Sequence, residues 1–120
     1  MESLIQWIII IGIAIFVAKR FMPAKGVESI TSQEAQKLMK EKNVQFIDVR
    51  TPGEFRANHR KPFKNIPLSD LVRRSDEINR EDRVVLVCQS GMRSTKAAKL
   101  LRKQGFKNLY NVKGGMGTWV

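Results

Sequence analysis

With one cysteine and one histidine, the chain cannot carry several common frameworks. Cys88 has no partner for an internal disulfide and cannot supply a cysteine-based zinc site, and His59 alone cannot form a histidine cluster. Disulfide scaffolds, zinc fingers and a metal centre of this kind are excluded. Length is short too, since 120 residues hold one domain of ordinary size rather than two. Acid is scarce: 11 Asp+Glu stand against 22 Lys+Arg, a formal net charge of +11, and no acid follows Asp82. What is present, 42% hydrophobic and 28% charged residues, fits a folded protein rather than a disordered one. The positive excess calls for an anionic partner: nucleic acid, an anionic membrane or a small anionic substrate. No nucleic-acid motif or interleaved aromatics support the first, so none is expected. Lys96, Lys99 and Lys103 share one helical face, which suits either plain solvation or anionic headgroups at about 1 kcal/mol per cation.

The apolar residues are concentrated at the start. Trp7 to Ala18 carries no polar side chain, and Leu4 to Met22 as a helix spans roughly 28 Å if Lys19 and Arg20 snorkel. A cleaved signal peptide fits less well, because Met1-Glu2-Ser3 is acidic and no small-x-small site comes after it. A buried core helix would be amphipathic, and this one is apolar all round. The expectation is a transmembrane anchor over 1–22, a linker over 23–26 and a domain over 27–120. Lys19, Arg20 and Lys25 follow the apolar run and no cation precedes it, which puts the domain on the cytoplasmic face of the cell membrane. A reducing compartment keeps a lone thiol free.

Within the domain, Thr31-Ser32-Gln33-Glu34 matches a capping box, with Ile30 placed to staple onto Ala35. A helix to about Lys42 would bury Ala35, Leu38 and Met39. Val44 to Val49 reads as a strand broken by Thr51-Pro52-Gly53, and Pro52 to Asn58 and Leu68 to Arg74 as short helices. Val84-Val85-Leu86-Val87 suits a buried parallel strand. Ser94 is placed to cap a helix through Gln104, with Gly105 at its C′ position, and Leu109 to Val112 reads as a last strand. Alternating strands and helices imply an α/β fold, a small central parallel sheet flanked by helices, with ligands beyond the carboxyl ends of the strands.

Two strand ends then matter: Asp48-Val49-Arg50, and Cys88 with the loop it opens. Cys88-Gln89-Ser90-Gly91-Met92-Arg93-Ser94 leaves a buried strand and enters a helix. A thiol there meets orphan N–H groups and a helix dipole, which favour the nucleophilic thiolate. Gly91 frees the turn to aim its amides inward, and Arg93 adds a planar cationic fork for an oxyanion. The plainer reading of Cys88 is a small buried hydrophobe.

These residues resemble the bacterial single-domain rhodaneses (thiosulfate sulfurtransferases). CQSGMRS over Cys88 to Ser94 is similar to their active-site loop, and Asp48-Val49-Arg50 through Glu54-Phe55 to their "DVR…EF" segment. His59 through Asn65-Ile66-Pro67 resembles "GHI-x-GA-x-NIP", and Gly114-Gly115-Met116 with Trp119 the closing "GG…W" element. Asn58, Arg60, Pro62 and Phe63 depart from the usual glycine, isoleucine, glycine and alanine. The resemblance implies a rhodanese-like fold without a cofactor and a persulfide on Cys88. Sulfane sulfur would pass from thiosulfate or a persulfide donor to cyanide, a thiol or a thioredoxin-like acceptor. Gln89, Ser90, Gly91, Met92, Arg93 and Ser94 would bind substrate, Arg93 either orienting the donor or bracing the loop. Asp48 and Arg50 read as a supporting polar pair and His59 as a hydrogen bond at the rim. The alternatives are a membrane-tethered, non-catalytic rhodanese-like binding module, or a Cys–Arg phosphatase or arsenate reductase. The latter families place five residues between Cys and Arg, where this chain has four.

Overall fold

A computed structural model describes residues 2–21 and 27–119, with side chains described from Ser3 to Val17 and throughout the second range. The linker expected over 23–26, and Met1 and Met22 of the expected anchor, lie outside the described residues. Helix α1 (Glu2–Phe21) leaves Leu4, Ile5, Trp7, the isoleucines from Ile8 to Ile15, Phe16 and Val17 all exposed. The expected membrane span is not found: among the described residues, no helix is long and apolar enough to cross a membrane. Although α1 rises about 30 Å over its 20 residues, its ends are charged: Glu2 opens it and Lys19 and Arg20 lie in its last turn, which leaves Ser3 to Ala18, about 24 Å, as the uncharged run.

The remaining elements form a five-stranded, all-parallel sheet. They are β1 (Val27–Ile30), α2 (Ser32–Leu38), β2 (Val44–Asp48), α3 (Pro52–Ala57), β3 (Lys64–Asn65), β4 (Arg83–Val87), α4 (Met92–Lys103) and β5 (Leu109–Val112). The strand order is β1-β5-β4-β2-β3. Strand alternation splits the core in two. Val84, Leu86 and Cys88 of β4 and its exit face a layer with Ala97, Ala98, Leu101, Leu71, Ile78 and Phe106. Val85 and Val87 face the other layer, with Ile30, Ala35, Phe46, Phe63, Val112 and Met116. Phe63 stands edge-on to both Phe46 and Trp119, at 5.4 and 5.6 Å between ring centroids.

The helix ends carry the local logic. Thr31 caps α2 in a capping box with Glu34, and buried Ile30 and Ala35 lie in the same core layer. This helix stops at Leu38 rather than near Lys42, because Lys40-Glu41-Lys42 offers nothing apolar and Asn43 turns the chain at φ 61°. The expected helix over Leu68–Arg74 resolves into 3-10 turns at Leu68–Asp70 and Ser75–Glu77, which bring Leu71 and Ile78 into one layer. Ser94 does not cap α4. The cap is Gly91 at φ 97°, a left-handed conformation that glycine accepts without strain, so the helix begins earlier and Ser94 turns inward.

Register sets up the site. β2 and β4 pair from Val44 with Arg83 to Asp48 with Val87, so Asp48-Val49-Arg50 and Cys88-Gln89 leave the sheet side by side. Leu86 pairs with Asn111, which sets β5 along the opposite flank of β4.

Candidate active site

Cys88 is buried where β4 ends, and the loop curls over its sulfur. The Gly91 N–H donates to Sγ at 2.9 Å, and Ser94 Oγ lies 3.4 Å from it. Burial by itself raises the thiol pKa. Hydrogen bonds from the Ser94 hydroxyl and from the backbone amides of Ser94, Ser90 and Gly91 outweigh it, leaving the thiol below its ordinary value. An activated sulfur at a helix N-terminus is the chemistry of a nucleophile.

The loop is held from below by the turn after β5. Met116 N–H donates to Cys88 O at 2.7 Å and Gly117 N–H to Gln89 O at 3.0 Å. Gly115 at φ 55° presses so close that an added Cβ would lie 2.0 Å from Cys88 O. Taking up these carbonyls from behind leaves the loop's N–H groups to serve the sulfur side.

Arg93 has its fork on a carboxylate. Its Nη1 and Nη2 donate to Glu54 Oε1 and Oε2 at 2.6 and 2.9 Å, a bidentate pair that ties α4 to α3. Arg93 holds the Glu54 carboxyl at a pKa of about 2, and Thr51, in its capping box with Glu54, adds to the effect. Arg93 also lines a cleft of about 410 Å³ with Val49, Leu68, Lys96 and Leu100, so the approach to the loop on this side is apolar with a cationic edge.

Asp48 and Arg50 are both buried and paired. Arg50 Nη2 lies 2.7 Å from Asp48 Oδ2, its Nε reaches both carboxylate oxygens, and its Nη1 reaches Gln89 Oε1 at 3.5 Å. Arg50 also donates to Asn58 O, so one guanidinium joins the β2 exit, the end of α3 and the loop. Asn65 Nδ2 donates to the carbonyls of both Asp48 and Arg50. His59 is exposed: Nδ1 donates to Phe55 O at 2.9 Å and the ring stacks on Phe55 at 4.1 Å. Gln89, Ser90 and Met92 are exposed on the rim, Met92 the most at 79%.

Behind the sulfur lies a polar cluster. Ser94 Oγ bonds to Asn111 Oδ1, Asn111 Nδ2 donates to Thr95 Oγ1 at 2.9 Å, and Thr95 Oγ1 donates to Gly91 O at 2.7 Å.

Residues 31–120, most of the chain, match the family described as the rhodanese-like domain. The chain belongs to that family. It is 36% identical over 119 residues to an uncharacterized protein, YqhL, of Bacillus subtilis, covering 99% of this chain and 94% of the relative. It is 31% identical over 85 residues to the thiosulfate sulfurtransferase GlpE of Vibrio cholerae, covering 71% and 80% respectively. The crystal structure of a rhodanese-like domain protein from Staphylococcus aureus superposes with a TM-score of 0.72 at 32% identity, over 78% of this chain and 91% of that one.

The rhodanese-like loop thus brings together Cys88 and the residues from Ser90 to Ser94, with Asp48 and Arg50 one shell out through Gln89. His59 stays with α3. Sequence reasoning missed Glu54, Thr95 and Asn111. Glu54 had a signal, since Thr51-x-x-Glu54 repeats the capping-box spacing of Thr31-x-x-Glu34. Asn111 had one as well, a polar residue at the strand position that alternates with Leu109 into the α4 layer.

Proposed function

We propose that this rhodanese-like chain is a sulfurtransferase that carries sulfane sulfur as a persulfide on Cys88. Its thiolate attacks the outer sulfur of thiosulfate or of a persulfide donor. An S–S bond forms, the donor's own bond to that sulfur breaks, and sulfite or a thiolate leaves with the electron pair. A nucleophilic acceptor, cyanide or a thiol, then takes the outer sulfur, and the Cys88 thiolate is the leaving group. Loop amides serve the negative sulfur at each stage. The observation that carries this reading is the sulfur itself, with its pKa lowered by three loop amides and a hydroxyl in a cup whose carbonyls are tied back. With Arg93 bound to Glu54, the amides rather than the guanidinium are the groups that meet the donor. The test is to incubate the chain with thiosulfate and weigh it. A gain of one sulfur atom, absent in Cys88→Ser, is expected; no gain in the native chain sinks the proposal.

We further propose that α1 seats the chain at a membrane with the catalytic domain on the cytoplasmic side. The support is the exposure of its apolar side chains on every face from Leu4 to Val17, together with Lys19, Arg20 and Lys25 after them.

A further inference from the structure

Asn111 is buried on the face of β5 that packs on α4, and its side-chain amide is held in one orientation. A hydroxyl has a single proton to give. Thr95 Oγ1 lies 2.7 Å from Gly91 O, which only accepts, so the Thr95 proton goes there. The same oxygen must then accept from Asn111 Nδ2, which turns Asn111 Oδ1 toward Ser94. An amide oxygen also only accepts, so the Ser94 proton is drawn to Asn111. Gly91 O, 3.1 Å from Ser94 Oγ, competes weakly, since it already takes both the N–H and the hydroxyl of Thr95. While Cys88 is a thiol, what Ser94 offers it in this arrangement is a lone pair; the donation to the thiolate described above needs the same proton to leave Asn111.

We propose that Asn111 is a positioning residue for Cys88: locked by Thr95, its amide oxygen holds the Ser94 proton away from the sulfur. Rotation of that one hydroxyl, from Asn111 to Cys88, changes Ser94 from acceptor to donor. The sulfur then gains a fourth donor beside the three amides when it is a thiolate, and loses it when it is a thiol. On the sulfurtransferase reading above, that rotation accompanies each release of the Cys88 thiolate. The charged groups around the loop are Arg93 on α4, Glu54 on α3 and the Asp48–Arg50 pair after β2. β5 itself contributes no charge, and Lys113 beyond it is exposed, so the influence of Asn111 on the sulfur passes through Ser94.

The lone cysteine makes the test clean, because alkylation by iodoacetamide reads Cys88 and no other thiol. Thr95→Val keeps the side-chain shape but removes the lock, so the Asn111 amide can turn its N–H toward Ser94 and release the Ser94 proton to the sulfur. The pH midpoint of alkylation of the 120-residue chain is expected to fall by about half a unit, a roughly threefold change in the thiol–thiolate equilibrium. In a Ser94→Ala background, Thr95→Val is expected to leave the midpoint where Ser94→Ala alone puts it. Asn111→Leu, checked for folding by circular dichroism, carries the same expectation in both backgrounds and serves where Thr95→Val misfolds. An unchanged or raised midpoint, or an equal fall without Ser94, overturns the proposal. Alkylation needs no sulfur donor, so the two readings fail separately. A chain that shows the shift but takes no sulfur from thiosulfate overturns the sulfurtransferase reading alone. A chain that takes sulfur but shows no shift overturns the role of Asn111 alone.

Discussion

At Glu54 the charge on one carboxylate has a calculable reach. Its folded pKa of about 2 lies below the ordinary 4.5, so the stability it lends is complete above about pH 4.5 and is lost as pH falls toward 2. The pair with Arg93 is about one-third exposed on both sides, and water screens it to about 1 kcal/mol. Glu54→Gln keeps a residue able to complete the capping box and removes only the charge. Urea unfolding should show Glu54→Gln less stable than the native chain by about 1 kcal/mol at pH 7, with the difference gone near pH 2. A difference that persists at pH 2 would mean that the cap, and not the ion pair, is what the substitution damaged. Glu77, drawn down to about 2 by Arg74 in an exposed pair, titrates in the same window and is unchanged by this comparison.

Among the elements, the turn after β5 is what shapes the loop. At Gly115 an added Cβ would also lie 2.8 Å from the carbonyl carbon of Cys88, and backbone there cannot move aside without moving Cys88. Gly115→Ala should therefore abolish the thiosulfate-dependent mass gain and lower stability by roughly 2 kcal/mol, read from the urea midpoint. Retention of the gain would show that the loop holds its shape without this clamp. Elements of this kind were unevenly legible in the sequence. β2, β4 and β5 announce themselves as β-rich runs, and Thr31 and Gly105 mark helix ends by local chemistry. β1 and β3 do not: Val27-Glu28-Ser29-Ile30 becomes a strand through its pairing with β5, and Lys64-Asn65 through Ile47 and Asp48. Cys88, Gly91 and Ser94 could be read as one loop because they are contiguous. Ser94 looked like a cap only because a hydroxyl near a helix start usually is one, and the positive φ of Gly91 decided otherwise. Glu54 against Arg93 and Asn111 against Ser94 are long-range pairings that only the folded sheet creates.

For the whole molecule, the contrast is between a domain with two satisfied core layers and a helix whose apolar side chains have no cover among the described residues. Alkaline carbonate extraction of membranes from cells making the native chain should leave it in the pellet. Release into the supernatant would refute the anchor and leave the chemistry at Cys88 untouched. The chain also has a direction: it is made from the α1 end, and the turn that holds the loop comes after Cys88. While a ribosome is still short of Gly115, neither Met116 nor Gly117 is there to draw back the carbonyls of Cys88 and Gln89. The two hydrogen bonds that tie back the loop are therefore the last part of the site to become available as the chain is made.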